Sequence, residues 1–215
     1  MSLTTSPATP NATTASPIDA ATPLRLPADL KLTLKQFELV CAENPESVLE
    51  LTANGRVLVM TPTGSETGSR SGELFFQLKL FAQQQGRWKA FDSSTGFLLP
   101  DGSVFSPDAS LVRIDRWQAL STDERRGFAP LCPDLVVELA SPSDEGPRGL
   151  NALRKKMGAY QANGAPLAWL LLPQEQAVEV WAANAEPQRL EQIQLLDATG
   201  ELSGLQLQLA KIWAG

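Results

Sequence analysis

The chain has 215 residues, contains no histidine, and carries a formal net charge of −6 at pH 7. Without histidine, Ser-His-Asp catalysis, Cys-His catalysis and histidine metal ligation are all excluded, so any chemistry must use carboxylates, lysine and oxygen-bound metal. The negative charge argues against a nucleic-acid binder that uses its whole surface, because phosphate contacts need clustered Lys and Arg, but it does not exclude a local charged groove.

Residues 1–28 consist mainly of Ser, Thr, Ala and Pro with almost no charge, and they predict a flexible tail rather than a secretory signal. Residues 29–215 are long enough to form a single domain with its own core. No stretch approaches the ~20 consecutive apolar residues of a membrane span. The two cysteines, Cys41 and Cys132, stand far apart and suit a reducing compartment, so we expect a cytoplasmic protein without a membrane segment.

The first half of the domain mixes helices with short strands. "LTLKQFELVCAEN" has helical apolar spacing, and "SVLELTANGRVLVM" predicts a hairpin around Asn54 and Gly55. "SETGSRSGELFFQLKLFAQQQG" predicts a longer helix that ends at Gly86. Short strands are predicted within "RWKAFDSSTGFLLP" and "VFSPDASLVRI".

The second half begins with one or two short helices in "IDRWQALSTDERRGF", followed by the apolar strand in "CPDLVVELASPSD". A helix over about residues 149–163 and the strand pair "PLAWLLLPQEQAVEVW" come next, before weaker strands and a short final helix. This order lacks the regular alternation of a doubly wound sheet. It predicts an α/β or α+β fold around a central mixed sheet.

Two carboxylates interrupt apolar strands. Glu138 lies among leucines and valines, where an unpaired ionised carboxylate costs several kcal/mol on the order of transfer scales. Asp108 follows Pro107 and stands directly before the next apolar run. If both point to the same side of neighbouring strands, they repel unless they are protonated or share a hard cation such as Mg²⁺. The alternatives are a turn carboxylate for Asp108 and a solvated strand face for Glu138.

The helix after Glu138 offers a cationic partner. Its predicted buried stripe is formed by Leu150, Leu153, Met157 and Tyr160. Lys155 points away from this stripe, whereas Arg154 and Lys156 flank it on its two sides. Lys156 could bring its ammonium to the carboxylates, where it would orient a water nucleophile and offset transition-state charge, or it could be a snorkelling surface lysine. The helical wheel does not decide between Arg154 and Lys156.

Glu66 and Glu73 stand seven residues apart on one side of the predicted long helix. Either could add an outer carboxylate to the site. The alternative is a surface pair held by Arg70, which is four residues from one and three from the other.

Three ordered motifs carry a resemblance to a known family: "FDSSTGFLLPDGSVFSPDASLVRIDRW", "LCPDLVVELASPSD" and "KKMGAYQANGAPLAWLLLP". Over about Thr33 to Trp213 the chain resembles the Uma2 family of restriction endonucleases, formerly a domain of unknown function. The resemblance implies the restriction-endonuclease-like fold of the PD-(D/E)XK superfamily, a central mixed sheet flanked by helices. In that superfamily an Asp, a Glu and a Lys build a Mg²⁺ site for phosphodiester hydrolysis.

Residue by residue, the resemblance assigns the Asp to Asp108 in "SPDAS" and the Glu to Glu138 in "VVELAS". Ala140 occupies the usual place of the Lys, and the family resembles variants whose lysine lies on the following helix, here Lys156 in "KMGAY". A backbone carbonyl near Leu139 is the implied further metal ligand.

Glu66 and Glu73 lie in the part that resembles the family's first helix, where a further acidic residue often contributes to the site. The chain departs from the family in two places. It lacks the histidine that many members carry near residues 67–70, and it has Leu172 and Pro173 where they have an acidic turn.

The resemblance therefore implies a Mg²⁺-dependent endonuclease that acts on DNA, with Mn²⁺ as a possible substitute. We also expect a homodimer, because cutting both strands of a duplex usually needs two active sites and symmetric pairs are the commonest oligomers. The first alternative is a catalytically idle member of the fold that serves as an interaction or assembly module. The second alternative is a metal-free hydrolase that uses two carboxylates as acid and base.

Overall fold

The computed structural model describes residues 24, 26, 27, 29–144 and 146–215. Most of the predicted tail, residues 1–28, lies outside this described part. A single domain over residues 29–215 stays a prediction.

The helices and strands follow the predicted order. The helices are α1 (Leu34–Glu43), α2 (Ser65–Gln85), α3 (Ile114–Ala119), α4 (Thr122–Arg126), α5 (Pro147–Ala162) and α6 (Leu209–Ala214). The strands of the first half are β1 (Leu49–Leu51), β2 (Val57–Val59), β3 (Trp88–Asp92), β4 (Phe97–Leu98), β5 (Val104–Phe105) and β6 (Ala109–Arg113). The strands of the second half are β7 (Leu135–Leu139), β8 (Leu167–Leu172), β9 (Ala177–Ala182), β10 (Gln188–Glu191), β11 (Leu195–Asp197) and β12 (Gln206–Gln208).

A six-stranded sheet with the order β10-β9-β8-β7-β6-β3 forms the centre of the fold. Its β7–β8 pair is parallel and its other pairs are antiparallel, which confirms the predicted mixed sheet. Strand β7 is buried along its whole length because helices cover both faces. Leu135, Val137 and Leu139 pack in the core formed with α2 and α6, whereas Val136 packs in the core formed with α5.

Helix α5 is the crossover that joins the parallel strands β7 and β8, which cannot be linked by a tight turn. It begins at Pro147, two residues earlier than predicted, because proline is well accommodated in the first turn of a helix. Met157 and Tyr160 of the predicted stripe are fully buried against the sheet. This packing fixes the rotation of α5 and therefore the direction in which its charged residues point.

A second, four-stranded antiparallel sheet has the order β2-β1-β5-β4 and was not predicted as a separate unit. Its β1–β2 hairpin agrees with the prediction, and Gly55 adopts φ 83° in the turn, a region that favours glycine. Strand β5 lies a few residues before β6 in the chain. The second sheet is therefore held against the beginning of β6, where Asp108 lies. A third sheet consists of β11 and β12.

Every helix in the described part of the chain is too short or too polar to cross a membrane. Cys41 and Cys132 are both free thiols.

The final helix α6 is anchored by Arg70 of α2. The buried guanidinium donates hydrogen bonds to the carbonyl oxygens of Ile212 (3.2 Å) and Trp213 (3.3 Å) and also pairs with Glu66 (2.6 Å). Carbonyls in the last turn of a helix have no partner within the helix, so this side chain supplies donors they would otherwise lack.

We expect Arg70→Ala to lower the free energy of unfolding by about 2 kcal/mol, because it removes charged donors from buried carbonyls. Urea denaturation measures this change. Glu66→Ala is the matched control, since it removes only the partly exposed ion pair and should cost less than about 1 kcal/mol. Equal losses in the two variants would contradict an anchoring role for the carbonyl contacts.

Candidate active site

A cleft of about 670 Å³ lies where the β1–β2 hairpin, the start of β6, the end of β7 and helix α5 meet. Four charged residues line this cleft and interact with one another: Glu50, Asp108, Glu138 and Lys156. The cleft therefore gathers the three residues that the sequence singled out and adds a fourth.

Glu138 lies on the α5 side of β7 and is only 3% exposed, so it does not lie on a solvated strand face. Its Oε1 accepts a hydrogen bond from the Tyr160 hydroxyl at 3.1 Å and lies 2.8 Å from the Lys156 ammonium. Lys156 and Tyr160 are four residues apart on α5 and thus share one helix face. Both groups thus contact the Glu138 side chain within its otherwise apolar strand.

Asp108 immediately precedes β6. Its Oδ2 accepts a hydrogen bond from the backbone N–H of Leu139 at 2.7 Å. Because β6 and β7 are antiparallel, the start of one strand lies beside the end of the other, and this bond joins them at the cleft. Leu139 thus contacts Asp108 through its amide nitrogen. The predicted metal contact would use a different group, a backbone carbonyl near this residue.

Lys156 is the basic residue of α5 that reaches the carboxylates. Its Nζ lies 2.8 Å from Glu138 Oε1 and 2.8 Å from Glu50 Oε1, and it donates to the Ser106 carbonyl at 3.2 Å. Arg154 instead pairs with Glu179 of β9 at 2.6 Å. Lys155 is exposed at the rim of the cleft.

Glu50 is the member of the site that was absent from the sequence prediction. It lies in β1, is 1% exposed, and its Oε1 accepts a hydrogen bond from the Ser106 backbone N–H at 2.8 Å. The signal that singled out Glu138 was present here as well, since Glu50 is a carboxylate between Leu49 and Leu51 in a predicted strand. Because β1 has only three residues, a carboxylate between apolar neighbours is a weaker indication of a buried site there than in the longer β7.

The charges of this cluster do not balance. Three carboxylates face one ammonium, which leaves an excess of two negative charges if all four groups are ionised. Burial, with the negative charges of Asp108 and Glu50 in addition, raises the pKa of Glu138 to about 8 despite the opposing charge of Lys156. Burial likewise raises the pKa of Asp108. Burial by itself would lower the pKa of Lys156, but Glu138 and Glu50 outweigh it and raise that pKa overall.

The two glutamates of the long helix lie elsewhere. Glu66 pairs with Arg70, and the Glu73 carboxylate accepts a hydrogen bond from Gln77 Nε2 at 2.9 Å. Neither glutamate lines the cleft. The structure thus brings Asp108, Glu138 and Lys156 together and does not bring Glu66 or Glu73 to them.

The donor set suits a hard divalent cation. Asp108 and Glu138 each use one carboxylate oxygen for the contacts above, and the second oxygen has no hydrogen-bond donor among the described residues. Within that same part of the chain, no three His, Cys, Asp or Glu side chains are arranged to hold a metal. Two carboxylates with backbone carbonyl and water as remaining ligands are a usual arrangement for Mg²⁺, and a divalent cation would neutralise the excess charge.

Comparisons with known proteins agree with this fold. The model of the Uma2 family, described as "Putative restriction endonuclease", matches residues 34–210. A crystal structure described as a "putative nuclease belonging to DUF820" from Anabaena variabilis is similar, with a TM-score of 0.68 and 19% sequence identity over 85% of this chain and 98% of that chain. At this identity the structural likeness shows the fold alone. No curated protein matches the chain.

The raised pKa of Glu138 makes the stability of the metal-free protein depend on pH. The folded state keeps a proton on Glu138 up to about pH 8, whereas the unfolded chain loses it near pH 4.5, the ordinary pKa of a glutamate. The stabilisation is therefore complete below about pH 4.5 and is lost as pH rises through about 8. We expect the free energy of unfolding in chelator to fall between pH 6 and pH 8 by on the order of 1 kcal/mol per unit at most.

Glu138→Gln, which resembles the protonated acid, should flatten this decline. Chemical denaturation at a series of pH values measures it, and Glu66→Gln on the exposed surface serves as the matched control. Identical pH slopes for the wild type and Glu138→Gln would exclude Glu138 as the source.

Proposed function

The chain belongs to the Uma2 family, and from this premise we propose that it is a Mg²⁺-dependent endonuclease that hydrolyses DNA phosphodiester bonds at the Asp108, Glu138 and Lys156 site. The observation that carries the proposal is the convergence of two carboxylates and a buried ammonium in one cleft. Phosphodiester hydrolysis at neutral pH requires an activated water molecule. This chain has no histidine to serve as the base, so a bound metal ion is the proposed means of activation.

In the proposed site, Asp108 and Glu138 would hold the cation, and a backbone carbonyl near Leu139 would be the further protein ligand. When bound there, Mg²⁺ polarises the phosphoryl group and lowers the pKa of a bound water, and Mn²⁺ can take its place. The excess negative charge of the cluster supports the proposal of a divalent cation. A bound cation would replace the proton on Glu138 as the charge that neutralises the cluster.

The side chains around the metal ligands have separate tasks. The Leu139 amide fixes one oxygen of Asp108, and Tyr160 fixes one oxygen of Glu138, so each carboxylate presents its other oxygen to the cleft. The Lys156 ammonium orients the attacking water and offsets the charge that develops on the pentacoordinate phosphorus centre. A low-dielectric surrounding strengthens this effect, since the Lys156 side chain is only 12% exposed.

DNA is the proposed substrate because the description of the family reads "Putative restriction endonuclease". Arg56 and Lys155 line the cleft and are its cations besides Lys156, so they are the proposed phosphate contacts. The net charge of −6 disfavours DNA binding by the surface as a whole, so binding should depend on these few cations and weaken with salt in proportion to their number. A homodimer stays a prediction, since cutting both strands of a duplex needs two sites.

One observation favours a second candidate, a catalytically idle module that keeps the fold. Asp108 and Glu138 are two proposed ligands, and among the described residues no group of three His, Cys, Asp or Glu side chains is arranged to hold a metal. Such a scaffold has no reason to bind Mg²⁺ or Mn²⁺ at Asp108 and Glu138, and metal binding therefore separates the two candidates.

The proposed activity is tested by cleavage of supercoiled plasmid and labelled single-stranded DNA with Mg²⁺ or Mn²⁺. We expect metal-dependent cleavage by the wild type that chelator abolishes. Asp108→Ala and Lys156→Ala should each slow it at least ~100-fold, because each removes a group that stabilises the reacting centre. Lys79→Ala, at an exposed lysine of α2, is the matched control and should cleave at the wild-type rate.

Cleavage that survives chelation would instead support a metal-free hydrolase. No cleavage of either substrate by the wild type would count against the nuclease proposal.

Metal binding is tested separately by thermal unfolding. At pH 8 a Mg²⁺ concentration ten times the Kd should stabilise the wild type by about 1.4 kcal/mol, because the ion binds the folded state. Asp108→Asn should abolish this gain, whereas Asp92→Asn, at the exposed end of β3, should keep it. An unchanged melting temperature of the wild type with both Mg²⁺ and Mn²⁺ would favour the idle module.

A further inference from the structure

We infer that Glu50 is a positioning residue that holds the Lys156 ammonium in place while Glu138 is shared with the metal. This inference rests on the proposed function, since the position of Lys156 matters for catalysis only if the cleft is a nuclease site. It concerns a residue of the second sheet, which the Asp, Glu and Lys pattern of the sequence does not include.

The ammonium of Lys156 has its full number of partners. A lysine ammonium has three N–H donors, and three acceptors surround it: Glu50 Oε1 and Glu138 Oε1 at 2.8 Å and the Ser106 carbonyl at 3.2 Å. While all three contacts persist, no N–H is left for a water or a phosphate oxygen. Lys156 can act on the attacking water only if one of these contacts is exchanged.

The Ser106 carbonyl is the contact most readily exchanged. It is the longest of the three and its acceptor is neutral, whereas hydrogen bonds to carboxylates are roughly twice as strong. Exchange at this position leaves the ammonium held by Glu50 and Glu138 and frees one N–H towards the cleft.

The two remaining carboxylates differ in what else they contact. Glu138 is a proposed metal ligand and also accepts from Tyr160, so a bound cation competes with Lys156 for its charge. Glu50 is not among the proposed metal ligands, and the contacts of its Oε1 among the described residues are with Lys156 and the Ser106 N–H. Glu50 is therefore the carboxylate that still fixes Lys156 when Glu138 faces the metal.

Glu50 is itself held rigidly enough for this role. It is 1% exposed, and the register of β1 against β2 pairs it with Leu58 in the hairpin wall of the cleft. The Ser106 N–H fixes its carboxylate oxygen from the segment just before Asp108. Any displacement of the hairpin would thus move the lysine relative to the metal ligands.

The kinetic test compares Glu50→Gln, Lys156→Ala and the double variant in plasmid cleavage with Mg²⁺. Glu50→Gln should lower kcat at least ~10-fold and leave KM for DNA within about 2-fold, the pattern of a group that acts in the transition state. If Glu50 acts through Lys156, the double variant should be no slower than Lys156→Ala. Additive losses in the double variant would overturn the inference.

Glu179→Gln is the matched control. Glu179 is also a buried carboxylate paired with a basic residue of α5, but it lies on β9 and does not line the cleft. Its substitution should lower the melting temperature and leave kcat within about 2-fold. An equal fall in kcat for the two variants would mean that Glu50 acts only through stability, and this would also overturn the inference.

A second readout does not depend on cleavage. Labelling of Lys156 with an amine-reactive acetylating reagent, followed by mass spectrometry, should rise ~10-fold in Glu50→Gln relative to the exposed Lys79, because the ammonium loses its charged contact with Glu50. Circular dichroism shows whether the variant is folded. Unchanged labelling in the folded variant would overturn the inference.

The two failures are distinguishable. Absence of cleavage by the wild type counts against the proposed function, and the labelling result then decides by itself whether Glu50 holds Lys156. Wild-type cleavage with unchanged kcat in Glu50→Gln leaves the proposed function intact and overturns the inference about Glu50.

Discussion

The ammonium of Lys156 is the charge on which the arrangement of this cleft depends. It lies where helix α5, the central sheet and the second sheet meet, and it contacts a carboxylate from each sheet. Removing one partner from a buried ion pair typically costs about 3–5 kcal/mol, because the other charge stays buried without compensation. The position of the hairpin relative to the central sheet is therefore tied to the same interaction that forms the site.

The topology explains why these groups meet at this place. The parallel β7–β8 pair requires α5 as its crossover, and the buried Met157 and Tyr160 fix the rotation of that helix so that Lys156 faces the end of β7. The antiparallel β6–β7 pair brings Asp108 beside Leu139 at that end. An unusual concentration of negative charge results, which a proton on Glu138 or the proposed cation would relieve.

Much of the fold was predictable because its signals are local. The long helix α2 has a regular apolar face and ends at Gly86 in the left-handed conformation, as predicted. The lack of strand and helix alternation correctly indicated a mixed sheet. The separate four-stranded sheet was not predictable, since its strands are two or three residues long and β1 pairs with β5 across more than fifty residues of chain. Such short strands carry too few residues for a periodic pattern.

The sequence by itself determined the chemistry available to this protein: no histidine, carboxylates within apolar strands, and a family resemblance that the matching family model confirms. The resemblance already assigned Asp108, Glu138 and Lys156, but only the tertiary structure added Glu50 to them and placed Glu66 and Glu73 elsewhere. A helical wheel places Arg154 and Lys156 symmetrically about the buried stripe, and the choice depends on what packs beside each flank. Glu179 of β9 lies beside Arg154, while Glu50 and Glu138 lie beside Lys156. Those partners are distant from α5 in the chain. Because electrostatic pairing depends on distance in space, the sequence of α5 alone cannot predict which partner each basic residue contacts.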